Sequence, residues 1–126
     1  MNDPHDPTRN DLEILDMRVI ASLKELGGEE DPGLVLELVG MFLQDAPLRM
    51  KEIETSLANG DILTLERAAH TLKSSSANIG ALGLSELCRR IVESARANHP
   101  EALPELCQAS VQSLAEAATN LRSLKS

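Results

Sequence analysis

In the stretch AAHTLKSSSANIGA, residues 68–81, one histidine stands among good helix formers, followed by a lysine three positions on, then serines, then a glycine. An imidazole is mostly neutral near pH 7, so one ring nitrogen keeps a free lone pair that can attack phosphorus. A phosphohistidine carries about two negative charges, as other phosphorylated side chains do. Lys73 can offset part of that charge, and hydroxyls at Ser74 or Ser75 can hydrogen-bond it. Transfer between side chains rests on positioning and charge compensation, so the segment needs no metal or general base of its own.

Whether His70 is free to react depends on where its helix turns it. Ile62, Leu65, Ala69, Leu72, Ser76 and Ile79 make an apolar stripe at helical spacing, with Leu65 at its centre. At about 100° per residue, His70 lies about 140° round from Leu65, facing water or the edge of a bundle. Glu66, Arg67, Lys73 and Ser74 lie one turn away and Ala77 two turns away, a charged, hydroxylated and short-sided face. An inert solvated histidine also fits this position; the adjoining cation and small side chains favour the reactive one. Successive serines point about 100° apart, so they cannot share one role. Ser76 falls on the buried stripe as a small packing residue, and Gly80 serves a helix end or close packing.

The elements that must hold this segment are helical. The chain has 126 residues, a single phenylalanine and no tryptophan or tyrosine, so a core of Leu, Ile, Val, Ala and Met is expected within one domain. Residues 1–10 read as a flexible tail and 11–126 as the domain. A first helix follows Leu12, Leu15, Val19, Leu23 and Leu26 and stops at Gly27-Gly28. A second, with Pro32 in its first turn, follows Val35, Leu38, Val39, Phe42 and Ala46, then Met50, Ile53 and Leu57. Pro47 removes a backbone donor, predicting a bend or break near Ala46. Asn59-Gly60-Asp61 stops that helix and caps the third, which carries His70. A fourth follows Leu84, Leu87, Cys88, Ile91 and Ala95, and a fifth runs from Leu103 to Leu124. Short connections favour antiparallel neighbours: an all-α, up-down four-helix bundle with an additional N-terminal helix.

Composition excludes several functions. A net charge of −8 repels phosphate backbones and anionic lipid, so neither nucleic acid nor membrane is an expected partner. The N-terminus lacks a basic-then-apolar leader and no stretch reaches the ~18 apolar residues of a span, predicting a soluble cytoplasmic protein. Cys88 and Cys107 sit on apolar stripes and read as buried thiols. His5 and His99 have no partner at ligand spacing, so no metal site is expected. Arg89 and Arg90 read as solvated helix charges, and Met17, Met41 and Met50 as core and rim, any exposed one suiting an adaptable docking face. No nucleotide loop or nucleophile–base pair suggests an enzyme with its own turnover.

The run from His70 through Lys73, Ser75 and Gly80 to Ala81 resembles the H-x-L-K-G-S-S-x-x-x-G-A core of histidine-containing phosphotransfer (HPt) domains. Phe42-Leu-Gln-Asp-Ala-Pro47 is similar to the family's F-L-x-D-x-P region, Asn59-Gly60-Asp61 to its short turn, and Leu84-x-x-Leu87-Cys88 to its next helix. The resemblance covers nearly everything from Leu12 onward. It implies a four-helix core with an exposed phosphoaccepting histidine, here His70, supported by Lys73. It also implies relay to and from receiver-domain aspartates, of response regulators and of a hybrid sensor histidine kinase. The receivers supply Mg²⁺ and most of the chemistry, so the chain needs no cofactor and acts as a monomeric carrier. Ser74 stands where many members have glycine, whose missing side chain lets a receiver approach closely. The alternative of another class is a helical adapter of the same fold that binds without being phosphorylated; the intact His70 and Lys73 pair favours the carrier.

Overall fold

The computed structural model describes residues 14–31 and 33–124. The expected tail, Leu12 and Pro32 lie outside them. Five α-helices follow one another with no strand among the described residues: α1 Met17–Gly27, α2 Leu34–Asn59, α3 Ile62–Asn78, α4 Leu82–Arg96 and α5 Leu103–Leu124, the last entered through a 3₁₀ turn at Pro100–Ala102. Helix α2 packs on α3, α3 on α4, α4 on α5, and α5 back on α2, which closes a four-helix ring; α1 lies against α2.

Each boundary has a local cause. Asp61 accepts the Thr64 N–H at 3.2 Å and so fixes where α3 starts and which face it turns inward. Gly60 stops α2 at φ +70°, a conformation that glycine adopts without Cβ strain. Asn98, at φ 58°, makes the turn after α4, and asparagine is among the few side chains that tolerate it.

Two expectations need correction. The first helix starts at Met17, later than the spacing implied, because the Asp16 side chain accepts the Arg18 N–H at 2.9 Å and caps the helix there. Leu15 is buried ahead of the helix rather than in it, Ile20 is the residue α1 buries, and Leu26 is 75% exposed. The second is the break at Pro47, the alternative to a bend there. Helix α2 runs through it unbroken for 26 residues. The ring is exposed, while Ala46, Met50 and Ile53 continue the buried stripe on either side. Packing across the ring of helices outweighs the one backbone bond that proline removes.

The core is built as the composition requires. Phe42 is its one aromatic, in a cluster that also holds Val39, Leu65, Leu72, Leu84, Ile91 and Leu121. Ser76 and Ser110 are fully buried. Ser110 donates to the Leu106 carbonyl at 2.8 Å, whereas the Ser76 hydroxyl has no hydrogen-bond partner, consistent with a residue present for its small size. Cys88 and Cys107 are buried free thiols on α4 and α5. Burial, and secondarily the Cys107 sulfur nearby, pushes the Cys88 thiol up to about 12; burial, and secondarily Glu54, pushes Cys107 up to about 11. Thiols held protonated in this way are poor nucleophiles.

Candidate functional site

Leu65, Ala68, Ala69, Leu72 and Ser76 anchor α3 on its inner face. That anchoring leaves His70 exposed midway along the helix. The two edges of α3 beside the imidazole differ in kind. Glu66 and Lys73 lie about 40° and 60° to one side, toward α4, whereas Arg67, Ser74 and Asn78 lie about 40–80° to the other, toward α2.

The α4 edge is charged. Lys73 is half-buried, and its own backbone carbonyl accepts the Ser85 hydroxyl of α4 at 2.8 Å, a bond that fixes the two helices in register at this level. One turn before His70, Glu66 accepts from Arg96 Nε of α4 at 2.5 Å. Further along α4, Arg89 bonds both Glu86 and Glu93, and Arg90 adds a longer contact to Glu86, so these arginines are engaged within their own helix. Arg89, and more weakly Arg90, holds the Glu86 carboxyl below the usual carboxylate range.

The α2 edge is a groove of about 630 Å³ between α1, α2 and the end of α3. Met41 and Leu48, one heptad apart on α2, form its outer lip and are 64% and 60% exposed. Phe42, Leu23, Ser75 and Asn78 contribute to its walls. Ser74 is exposed and short, and with exposed Thr71 it stands between the imidazole and this groove, Arg67 lying on the same edge one turn toward the start of α3.

Of the residues singled out in the sequence, Lys73 and Ser74 therefore flank His70. Ser75 does not: it lies about 140° round the helix, lines the groove, and donates its hydroxyl to the Leu72 carbonyl at 3.3 Å. His99 pairs with Glu101 in the loop before α5. Among the described residues, no cluster of three or more His, Cys, Asp or Glu side chains could hold a metal ion, and no helix is long and apolar enough to cross a membrane.

Sequence reasoning missed Leu48, Asn78 and the Glu66–Arg96 pair. Met41 and Leu48 carry a readable signal, since both are large apolar residues off the buried stripe of α2 and share a face at a spacing of seven. The Glu66–Arg96 pair spans 30 positions and carries no such signal.

The same fold and segment occur in known proteins. The family model for the Hpt domain matches residues 37–124. A search of curated proteins found no match. Among solved structures, histidine-containing phosphotransfer protein B (HptB) from Pseudomonas aeruginosa PAO1 superposes with a TM-score of 0.79 at 31% identity, over 86% of this chain and 91% of that one. A putative histidine-containing phosphotransfer protein from rice shares the fold, with a TM-score of 0.75 at 22% identity over 86% of this chain and 79% of its own. With most of its length matched, and the matched segment running through all four helices of the ring, the chain belongs to the Hpt domain family.

Proposed function

We propose that the chain is a phosphorelay intermediate that accepts a phosphoryl group on His70 from the aspartyl phosphate of one receiver domain and passes it to the aspartate of another. The observation that carries this reading is the surface around the imidazole: His70 is exposed, Lys73 stands on one side, and short Ser74 on the other opens onto an apolar groove. A receiver must bring its aspartate to within near-attack distance, roughly 3–3.5 Å, of the ring. A face kept low by Ser74 and Ala77 permits that approach, and Met41 and Leu48 offer apolar area beside it.

In the accepting step a lone pair of one ring nitrogen forms a bond to phosphorus. The phosphorus–oxygen bond to the receiver's aspartate breaks, and its electron pair returns to that carboxylate. The other ring nitrogen keeps its proton, and the charge that develops on the phosphoryl oxygens is offset by Lys73. The donating step is the reverse, onto a second receiver. Mg²⁺ belongs to the receiver in this scheme, and the chain is a carrier without turnover of its own. Receivers of response regulators and of a hybrid sensor kinase are the partners that fit, with the chain acting as a monomer in the cytoplasm.

Incubation with a phosphorylated receiver, followed by assay for acid-labile label on the chain, tests the reading. The parent should be labelled and His70→Gln should not, while the two melt alike, because surface changes usually shift stability by no more than ~0.5 kcal/mol. A folded, receiver-binding parent that takes no label would establish the adapter instead.

A further inference from the structure

The ion pair between Glu66 and Arg96 lies one turn from the proposed phosphoacceptor, and its consequence follows from charge. On a helix, side chains four apart are neighbours, with Cβ atoms about 5–6 Å apart. Glu66 is thus the carboxylate on α3 closest to His70, on the same edge as Lys73. Left to itself, it would repel a doubly negative phosphoryl group and cancel Lys73. Arg96, reaching over from α4, donates to Glu66 Oε1 and so offsets it. With the pair intact, that edge carries one net positive charge; without Arg96 it carries none. Glu86 and Glu93 of α4 are already taken up by Arg89, and Arg67 stands on the opposite edge near Asp61.

We propose that Arg96 is a positioning residue for phosphotransfer: by holding Glu66, it keeps the α4 edge of His70 positive while the imidazole carries the phosphoryl group. This inference rests on the reading of His70 as phosphoacceptor. It makes α4 part of the site through Arg96. The Glu66 side chain is 23% exposed and that of Arg96 65% exposed, so water screens the pair and the effect is modest.

The test uses phosphoramidate as the donor, so that no docking partner intervenes. Its phosphorus–nitrogen bond breaks as the imidazole attacks, and ammonia leaves with a proton from water. The labelling rate of the folded chain is measured for the parent, Arg96→Ala, Arg96→Lys, Glu66→Gln and the double variant Glu66→Gln/Arg96→Ala. Arg96→Ala should label about three- to five-fold more slowly, Arg96→Lys should retain most of the rate, and the double variant should return to within about two-fold of the parent. Raising the salt to about 0.5 M should shrink the Arg96→Ala deficit. Rescue by Glu66→Gln separates charge compensation from a packing role, since removing a second side chain does not repair lost packing.

Equal rates for Arg96→Ala and the parent overturn the inference while leaving His70 as the acceptor. So does a double variant as slow as Arg96→Ala alone. A parent chain that takes no label, although it folds, overturns the phosphoacceptor reading and this inference with it.

Discussion

Gly80→Ala should destabilise the protein by about 2–3 kcal/mol, through two separable effects. Gly80 sits at φ +86°, where an L side chain costs about 1–2 kcal/mol. A Cβ there would also lie 2.9 Å from the Asp16 carbonyl oxygen and 3.2 Å from Val19 Cβ, the first closer than real Cβ contacts allow. That carbonyl accepts the Val19 N–H at 3.0 Å and opens α1, while the Asp16 N–H donates to Gly80 O at 2.7 Å. Moving it loosens the tie between α1 and the end of α3, adding about 1 kcal/mol. Gly60→Ala is the internal control: its φ is +70°, but a Cβ there meets nothing within 4 Å, so it incurs only the conformational term. Thermal melts followed by circular dichroism should show a fall of roughly 10 °C for Gly80→Ala against roughly 5 °C for Gly60→Ala. Equal shifts would refute the argument that the Asp16–Gly80 approach holds α1 in place.

Lys73→Ala should slow transfer from a receiver about ten-fold or more while changing receiver affinity little, because a cation that matters chiefly when charge develops stabilises the transition state selectively; stopped-flow transfer beside equilibrium binding separates the two. Ser74→Leu should obstruct transfer sterically with the fold intact, and Ser74→Gly should transfer at least as fast as the parent while losing roughly 0.5–1 kcal/mol of stability; a leucine variant as fast as the parent would mean that the partner does not approach over this face. Alkaline pH should destabilise the fold through the core thiols. Their folded pKa values are raised to about 12 and 11, above the roughly 8.5 of an unfolded cysteine. The stabilisation is therefore complete below about pH 8 and declines as pH rises toward 11 and beyond. Urea midpoints at pH 7 and pH 10 should show that decline, and Cys88→Ala with Cys107→Ala should flatten it.

The helices of this chain were legible because each buries one stripe at a period near 3.6, and Leu65, Ala69, Leu72 and Ser76 of the α3 stripe are buried as the spacing implies, with Ala68 added to them. The placement of His70 off its stripe followed from the same arithmetic. What periodicity could not give was anything decided between elements. The start of α1 moved to Met17 because Asp16 caps it and is bonded to Gly80, a residue far away in sequence. Pro47 stays inside α2 because the buried stripe continues past it at Met50 and Ile53. Ser75 was a candidate for its hydroxyl, next to Ser74 in the run of serines, but a step of one residue turns the side chain about 100°, into the groove. The Arg96 contact to Glu66 depends on how α4 lies along α3, which no local pattern encodes.

On the proposal that His70 is the phosphoacceptor, the two unlike edges of α3 separate partner choice from chemistry. Groups that bear on the imidazole's charge come from α3 and α4, while the apolar lip that a receiver would rest on comes from α2. Met41 and Leu48 are exposed and contribute nothing to the core, so sequence drift there is cheap in stability. A lineage that duplicates this gene could retune which receiver is heard by changing that lip alone, leaving the phosphoryl chemistry common to both copies. The same separation makes α2 the helix to randomise when an insulated signalling channel is wanted in an engineered cell.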